Sequence, residues 1–363
     1  MRWYRIIQSL ALSIQTGFPH CRKAYSFLPV PGIFIISGFP VLHGCESMQF
    51  QDGIFTETTQ SVPVKIAVHN TDNDMFGTLD IFVFNDDELK RLDCYQSING
   101  PIEDGSVSVA SQTGKKLLMA CANTHYPKDD WLWVKSAASL MDFKINIEDE
   151  TLEYPSMSVS RKYVAGDGQT VIKGLEMSRI SSEIVLRSIS CDFKGRPYEG
   201  EKLTNTAVYL TNVCATYPIW GGQAYPERFI NMGRLNEEDM SRMKDPGLIY
   251  AGINEPVGKV PYAADIHFRC YPNLSSAEGP GSVFTRLVIQ GDISGKTWFW
   301  PININRGSDG THEGIGRNMK YIYDIRITRK GSADPDTAVS TESISINTTI
   351  NEWTEKEEYQ VSF

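Results

Sequence analysis

Long apolar runs are scarce in this sequence. The most prominent, Phe27–Phe39, is broken by Pro29, Pro31 and two glycines, and falls short of the ~20 apolar residues a spanning helix needs. Basic runs are missing as well. Beyond that segment nothing exceeds a doublet such as Arg329-Lys330, and the formal net charge is −9. That balance argues against nucleic acid or an anionic membrane face as a partner. Histidine is rare: of six, the four beyond Cys45, His69, His125, His267 and His312, make neither HExxH nor HxH, so no metal site is expected. The nucleophile elbow GxSxG, the P-loop and GxGxxG are absent, which leaves no recognisable catalytic or phosphate-cradling motif. Gly314-Ile-Gly316 lacks the rest of a phosphate cradle, and Asp72-x-Asp74-x-x-Gly77 lacks the length and closing glutamate of a calcium loop. Asp129-Asp130 and Glu148-Asp149-Glu150 read as a helix cap and a solvated turn rather than as a carboxylate pair for glycoside chemistry. No enzyme and no cofactor is expected.

Cysteine is present but unpatterned. Beyond Cys21 and Cys45 come Cys94, Cys121, Cys191, Cys214 and Cys270, with no CxxC spacing. A zinc ribbon and a disulfide-stapled mini-fold are both excluded. The five read as small buried hydrophobes in strands, though a single pair such as Cys191 with Cys214 stays open.

What the N-terminal region does contain is an ordered series: Arg22-Lys23, the apolar run, then Val41-Leu42-His43-Gly44-Cys45. A basic front, an apolar middle and a small residue before the cut is the build of a secretory signal. Leu-x-Gly-Cys at its end resembles the lipobox of bacterial lipoproteins. The resemblance implies that residues 1–44 are removed and that Cys45 is acylated, becomes the first residue and tethers the chain to the outer membrane. Residues 45–61, polar and aperiodic, read as a tether.

The remainder is written in period two. Val62, Val64, Ile66 and Val68 alternate with Pro63, Lys65, Ala67 and His69, a strand with one buried face. Pro63 places that strand at an edge, or at the start of its pairing. Leu79–Phe84, apolar on both faces, predicts a central strand. Further strands are expected at Val107–Val109, Leu117–Ala122, Thr170–Leu175, Ile184–Ile189, Val208–Leu210, Ile266–Cys270, Val283–Ile289, Trp298–Trp300, Tyr321–Ile327, Ile344–Ile350 and Tyr359–Phe363. Helical spacing of Trp131, Val134, Ala138 and Met141, with Asp129 or Asp130 as cap, predicts one short helix. Asn236 capping Glu237–Arg242 predicts another. Many short strands with few helices indicate an all-β protein of sandwich type. The Gly166-Asp-Gly168 turn suggests a boundary between residues 62–166 and 167–363. Trp220, in Tyr-Pro-Ile-Trp-Gly-Gly, reads as a loop tryptophan and a candidate glycan contact.

Four blocks together resemble the fimbrillins of Bacteroidetes, the subunits of protease-matured surface pili. They are Leu79-Asp-Ile-Phe-Val-Phe-Asn85 with Arg91-Leu-Asp-Cys-Tyr95; Gly114-Lys-Lys-Leu-Leu-Met-Ala-Cys-Ala-Asn123; Leu175-Glu-Met-Ser-Arg179 leading into Ile184–Ile189; and Gly316-Arg-Asn-Met-Lys-Tyr321 with Gly331–Pro335 and Trp353. The resemblance, closest to anchor and minor subunits, implies two tandem transthyretin-like β-sandwiches. It also implies assembly with other pilus subunits by strand exchange. Ile344, Ile346, Ile350, Tyr359, Val361 and Phe363 would then form the donor strands. In polymerising members an arginine-specific protease cuts between the first two strands, removing strand and lipid and opening an acceptor groove. Here that loop, Asn70–Gly77, holds neither Arg nor Lys, which points to an uncut, lipid-retaining subunit. The alternatives are a shaft or tip subunit, or a lipid-tethered glycan-binding surface protein.

Overall fold

The computed structural model describes residues 61–69, 76–100, 106–222, 226–279, 281–306, 314–337, 339, 343–352 and 359–362. Alternation produces the first strand, β1 (Ser61–His69), with Val62, Val64 and Ile66 buried and Ser61, Pro63 and Lys65 exposed. It is followed by β2 (Thr78–Asn85), β3 (Leu92–Asn99), β4 (Ser106–Gln112), β5 (Gly114–Ala122), β6 (Lys144–Asn146), β7 (Met157–Ala165), β8 (Thr170–Glu176) and β9 (Ser178–Arg179). One sheet runs β4-β1-β8 and a second β3-β2-β5-β7-β9. Val64, Ile66, Ile81, Val83, Leu118 and Ile172 form the core between them.

β2 is buried on both faces for a simple reason. Leu79, Ile81 and Val83 point into that first core, while Phe82 and Phe84 point away and join Met119 and Cys121 of β5 in a second cluster. The connection after β5 covers this outer face. Trp131 meets Phe82 edge-on with centroids 5.3 Å apart and lies 4.5 Å from Phe143. The single helix expected here is replaced by a 3-10 turn, Lys128–Trp133, and a one-turn helix α1 (Ala137–Leu140). Asp129 and Asp130 sit inside the 3-10 turn, and Ser136 is the cap. The break arises because Lys135 and Ser136 are held extended against the chain preceding β3. Leu92 N donates to Lys135 O, and Arg91 bridges Ser136. Backbone committed to a strand-like pair cannot also continue a helix.

The second half supplies β10 (Ser182–Cys191), β11 (Thr204–Thr211), β12 (Val213–Cys214), β13 (Thr216–Pro218), β14 (Phe229–Ile230), β15 (Tyr250–Ile253), β16 (Tyr262–Cys270), β17 (Arg286–Ile293), β18 (Lys296–Asn303), β19 (Met319–Ile327), β20 (Ile344–Glu352) and β21 (Tyr359–Ser362). Helix α2 (Glu237–Arg242) is capped by Asn236, as its sequence predicts, with Oδ1 accepting from the amides of Glu238 and Asp239. The sheets β16-β10-β19-β20-β21 and β15-β11-β17-β18 enclose a core that includes Ile184, Leu186, Leu210, Ile289, Trp300 and Tyr323. The fold is all-β, of sandwich type.

Three expectations change. β1 is not an edge strand: it lies between β4 and β8. Its pairing with β8 begins at Val64, so Pro63, which has no amide hydrogen, precedes that ladder and faces only Ala110 of β4. The strands β3 and β7 went unsignalled, because β7 carries the exposed run Ser160-Arg161-Lys162 and β3 has one fully buried residue, Cys94. β8, after the Gly166–Gly168 turn, pairs in parallel with β1, so sheet membership changes at Ile180–Ser181. The five described cysteines are buried, and among the described residues no two of them form a disulfide. Burial in apolar surroundings pushes the Cys191 and Cys214 thiols up to about 12.

Candidate assembly surfaces

The first surface is the slot that β1 fills. Its register runs antiparallel from Ser61↔Gln112 to Ala67↔Ser106, and in parallel from Val64↔Thr170 on the other side. Val62, Val64 and Ile66 are at most 2% exposed; burying three such side chains contributes roughly 6 kcal/mol. Withdrawing β1 would therefore leave a groove with two unpaired strand edges and an apolar floor, the kind of site an extended segment can occupy. With β1 in place, neither edge is open. Lys65 is paired by its backbone to Ser108 and Val171. Residues 70–75 of the following loop lie outside the described residues.

The second surface is the edge made by β20 and β21. β20 pairs with β19 along its whole length, from Met319↔Glu352 to Ile327↔Ile344, and β21 pairs with β20 from Asn347↔Ser362 to Ile350↔Tyr359. Ile344 is buried, while Ile346 and Ile350 are half-buried against the second core. Among the described residues β21 has one neighbour, which leaves one row of its backbone groups as a template for another strand. Tyr359 and Val361 fall within β21, whereas Phe363 lies outside the described residues, as does Cys45. Among the described residues no helix is long and apolar enough to cross a membrane.

Trp220 occupies the turn after β13. It is half-buried and packs against the second core. Among the described residues the tryptophan standing in solvent is Trp133, 80% exposed. His267 is engaged by Glu183 at 2.9 Å and Asp265 at 3.1 Å, and no metal-holding group of side chains occurs among the described residues.

The four sequence blocks carry polar contacts whose purpose only the structure reveals. Tyr95 Oη donates to the buried Asp80 at 2.8 Å. Burial raises the Asp80 carboxyl above the usual carboxylate range, against the pull of hydrogen bonds from Ser97 and Tyr95. Asn123, in a left-handed turn at φ 56°, accepts from Gly77 N and donates to Pro155 O, which closes the start of β2. Arg317 reaches from the segment before β19 into the first half. Nη2 donates to Ser158 Oγ at 2.9 Å and to the carbonyls of Ser158 and Ser178, Nε to Arg179 O, and Nη1 to Ile219 O. Next to it, Asn318 Oδ1 accepts from Arg179 N. Desolvation pulls the Arg317 guanidinium below its ordinary value.

No family model matches the chain, and no curated protein matches it by sequence. Solved structures do. A candidate cell adhesion protein from Parabacteroides distasonis aligns with TM-score 0.61 and 16% identity over 81% of this chain and 99% of that one. A fimbrilin from Porphyromonas gingivalis aligns with TM-score 0.58 and 12% identity over 81% and 98%. The tip fimbrial protein from the same organism, solved with a C-terminal truncation, aligns with TM-score 0.51 and 13% identity over 81% and 100%. At these identities the likeness is one of fold, and it is the fold that the fimbrillin-like blocks of the sequence imply.

Proposed function

We propose that this chain, whose fold is that of fimbrial and cell adhesion proteins, is a structural subunit of a surface pilus, lipid-tethered through Cys45, that keeps its first strand. It sits at the membrane end of the fibre, with a filled acceptor slot, and offers β20 and β21 to the next subunit. One observation carries the reading. β1 is paired on both sides, and the segment joining it to β2 has no basic residue on which an arginine- or lysine-specific protease could act. Leaving the chain uncut keeps β1, and keeping β1 keeps whatever is attached ahead of it.

The reading is tested by making the loop cleavable. Cells producing the Asn73→Arg variant and an arginine-specific surface protease should yield a chain cut between β1 and β2. The wild-type chain from the same cells should stay joined through residue 78. Cleavage of the wild type within residues 70–77 would overturn the proposal.

A further inference from the structure

In the sheet facing β1, one lysine is buried where a lysine is seldom found. Lys116 of β5 is 1% exposed, and its ammonium donates to Asn85 Oδ1 at 2.6 Å and to Asp93 Oδ2 at 2.9 Å. Asn85 is its direct cross-strand partner on β2, and Tyr163 of β7 is its partner on the other side. Asp93, at the start of β3, has a side chain 4% exposed, and the same Oδ2 accepts from Ser111 Oγ at 2.8 Å and from Gln112 N at 2.9 Å. An amine, a carboxamide and a carboxylate thus stand within bonding reach, with the lysine and the aspartate closed to water.

We propose that this triad forms an intramolecular isopeptide bond between Lys116 Nζ and Asn85 Cγ, with Asp93 as the proton carrier. Lys116 passes a proton to Asp93, and the neutral amine attacks the carboxamide carbon that its hydrogen bond to Oδ1 already places beside it. The Nζ–Cγ bond forms and the Cγ–Nδ2 bond breaks. One Nζ hydrogen remains on the new amide. The others leave with Nδ2 as ammonium, handed over by Asp93, which ends as a carboxylate. Nothing is oxidised or reduced. Fixed proximity supplies the effective concentration that an uncatalysed transamidation lacks, and exclusion of water suppresses hydrolysis of the tetrahedral intermediate. Asn85 is the acceptor rather than Asp93. The Asp93 oxygen nearest Lys116 already holds its hydrogen bonds from Ser111 and Gln112, whereas Asn85, half-buried at the end of β2, leaves its ammonia a way out. The product ties β2 to β5 covalently.

The test is mass spectrometry of the purified, digested chain. The expected result is a branched peptide joining residues 85 and 116, lighter than its two parts by one ammonia, in nearly every molecule. Lys116→Arg and Asp93→Asn should each abolish it. Should those variants fail to fold, Asn85→Ser keeps the lysine–aspartate pair and should likewise yield only linear peptides. Linear peptides from the wild type would overturn the proposal. So would a branch that has lost water in place of ammonia, or an ammonia loss that persists in Lys116→Arg.

Discussion

Deleting Glu358–Phe363 should leave a folded, exported chain that no longer enters fibres. The deletion removes β21, a strand of four residues with one neighbour among the described residues, and leaves β20 paired to β19 from end to end. Ile344, Ile346 and Ile350 of β20 stay in place in or against the second core. What is lost is the terminal stretch whose backbone and alternate side chains would enter a neighbour's groove, where main-chain pairing gives affinity and pockets give specificity. Fibres sheared from cells should contain none of the truncated chain, while its circular dichroism and thermal midpoint stay close to those of the full chain. Truncated protein that still co-purifies with fibres would place the donor elsewhere.

The second large effect concerns Arg317. Its guanidinium donates to carbonyls of Ser158, Ser178, Arg179 and Ile219, and so joins β7 and β9 to the segments around β13 and β19. Replacement by Ala takes a donor from Ser178 O and Arg179 O in a half-buried site, while Ile219 O and Ser158 O keep bonds from Ser158 Oγ and Ser178 Oγ; each group left without a partner costs about 1–3 kcal/mol. We expect Arg317→Ala to lose about 3 kcal/mol or more of unfolding free energy, since partial relaxation recovers only some of those bonds. Arg317→Lys should recover less than half, because a point charge on a flexible stem cannot reproduce the planar fork. Denaturant unfolding measures both. A change below about 0.5 kcal/mol, the range of ordinary surface substitutions, would show that the bridge is not structural.

Most strand positions were legible because burial in a sandwich is periodic. Leu79–Phe84 reads as apolar on both faces, and it is buried on both, by two different cores. Asn236 signals its helix because a cap acts over a few residues and needs no tertiary partner. The misreadings share one cause, tertiary contact that leaves no local pattern. Residues 131–141 carry helical spacing, yet pairing of Leu92 with Lys135 splits them into two turns. β7 is polar along its middle, yet it is held by β5 over nine residues. Pro63 points to an edge or to the start of pairing, and it is the second that holds: the ladder with β8 begins at Val64. The polar groups of the fimbrillin-like blocks were visible as letters, not as partners. Lys116 with Asp93, Tyr95 with Asp80 and Arg317 with Ser158 are joined across 23, 15 and 159 positions, and no spacing rule reaches that far.

The central claim is that β1 stays in its slot and the lipid stays with it. It is tested most directly by the N-terminus of the chain as it stands on the cell surface, read by mass spectrometry of the protein taken from intact cells. The expected result is an acylated Cys45 followed by an unbroken chain through β1 and β2. An N-terminus anywhere between Asn70 and Thr78 would contradict it.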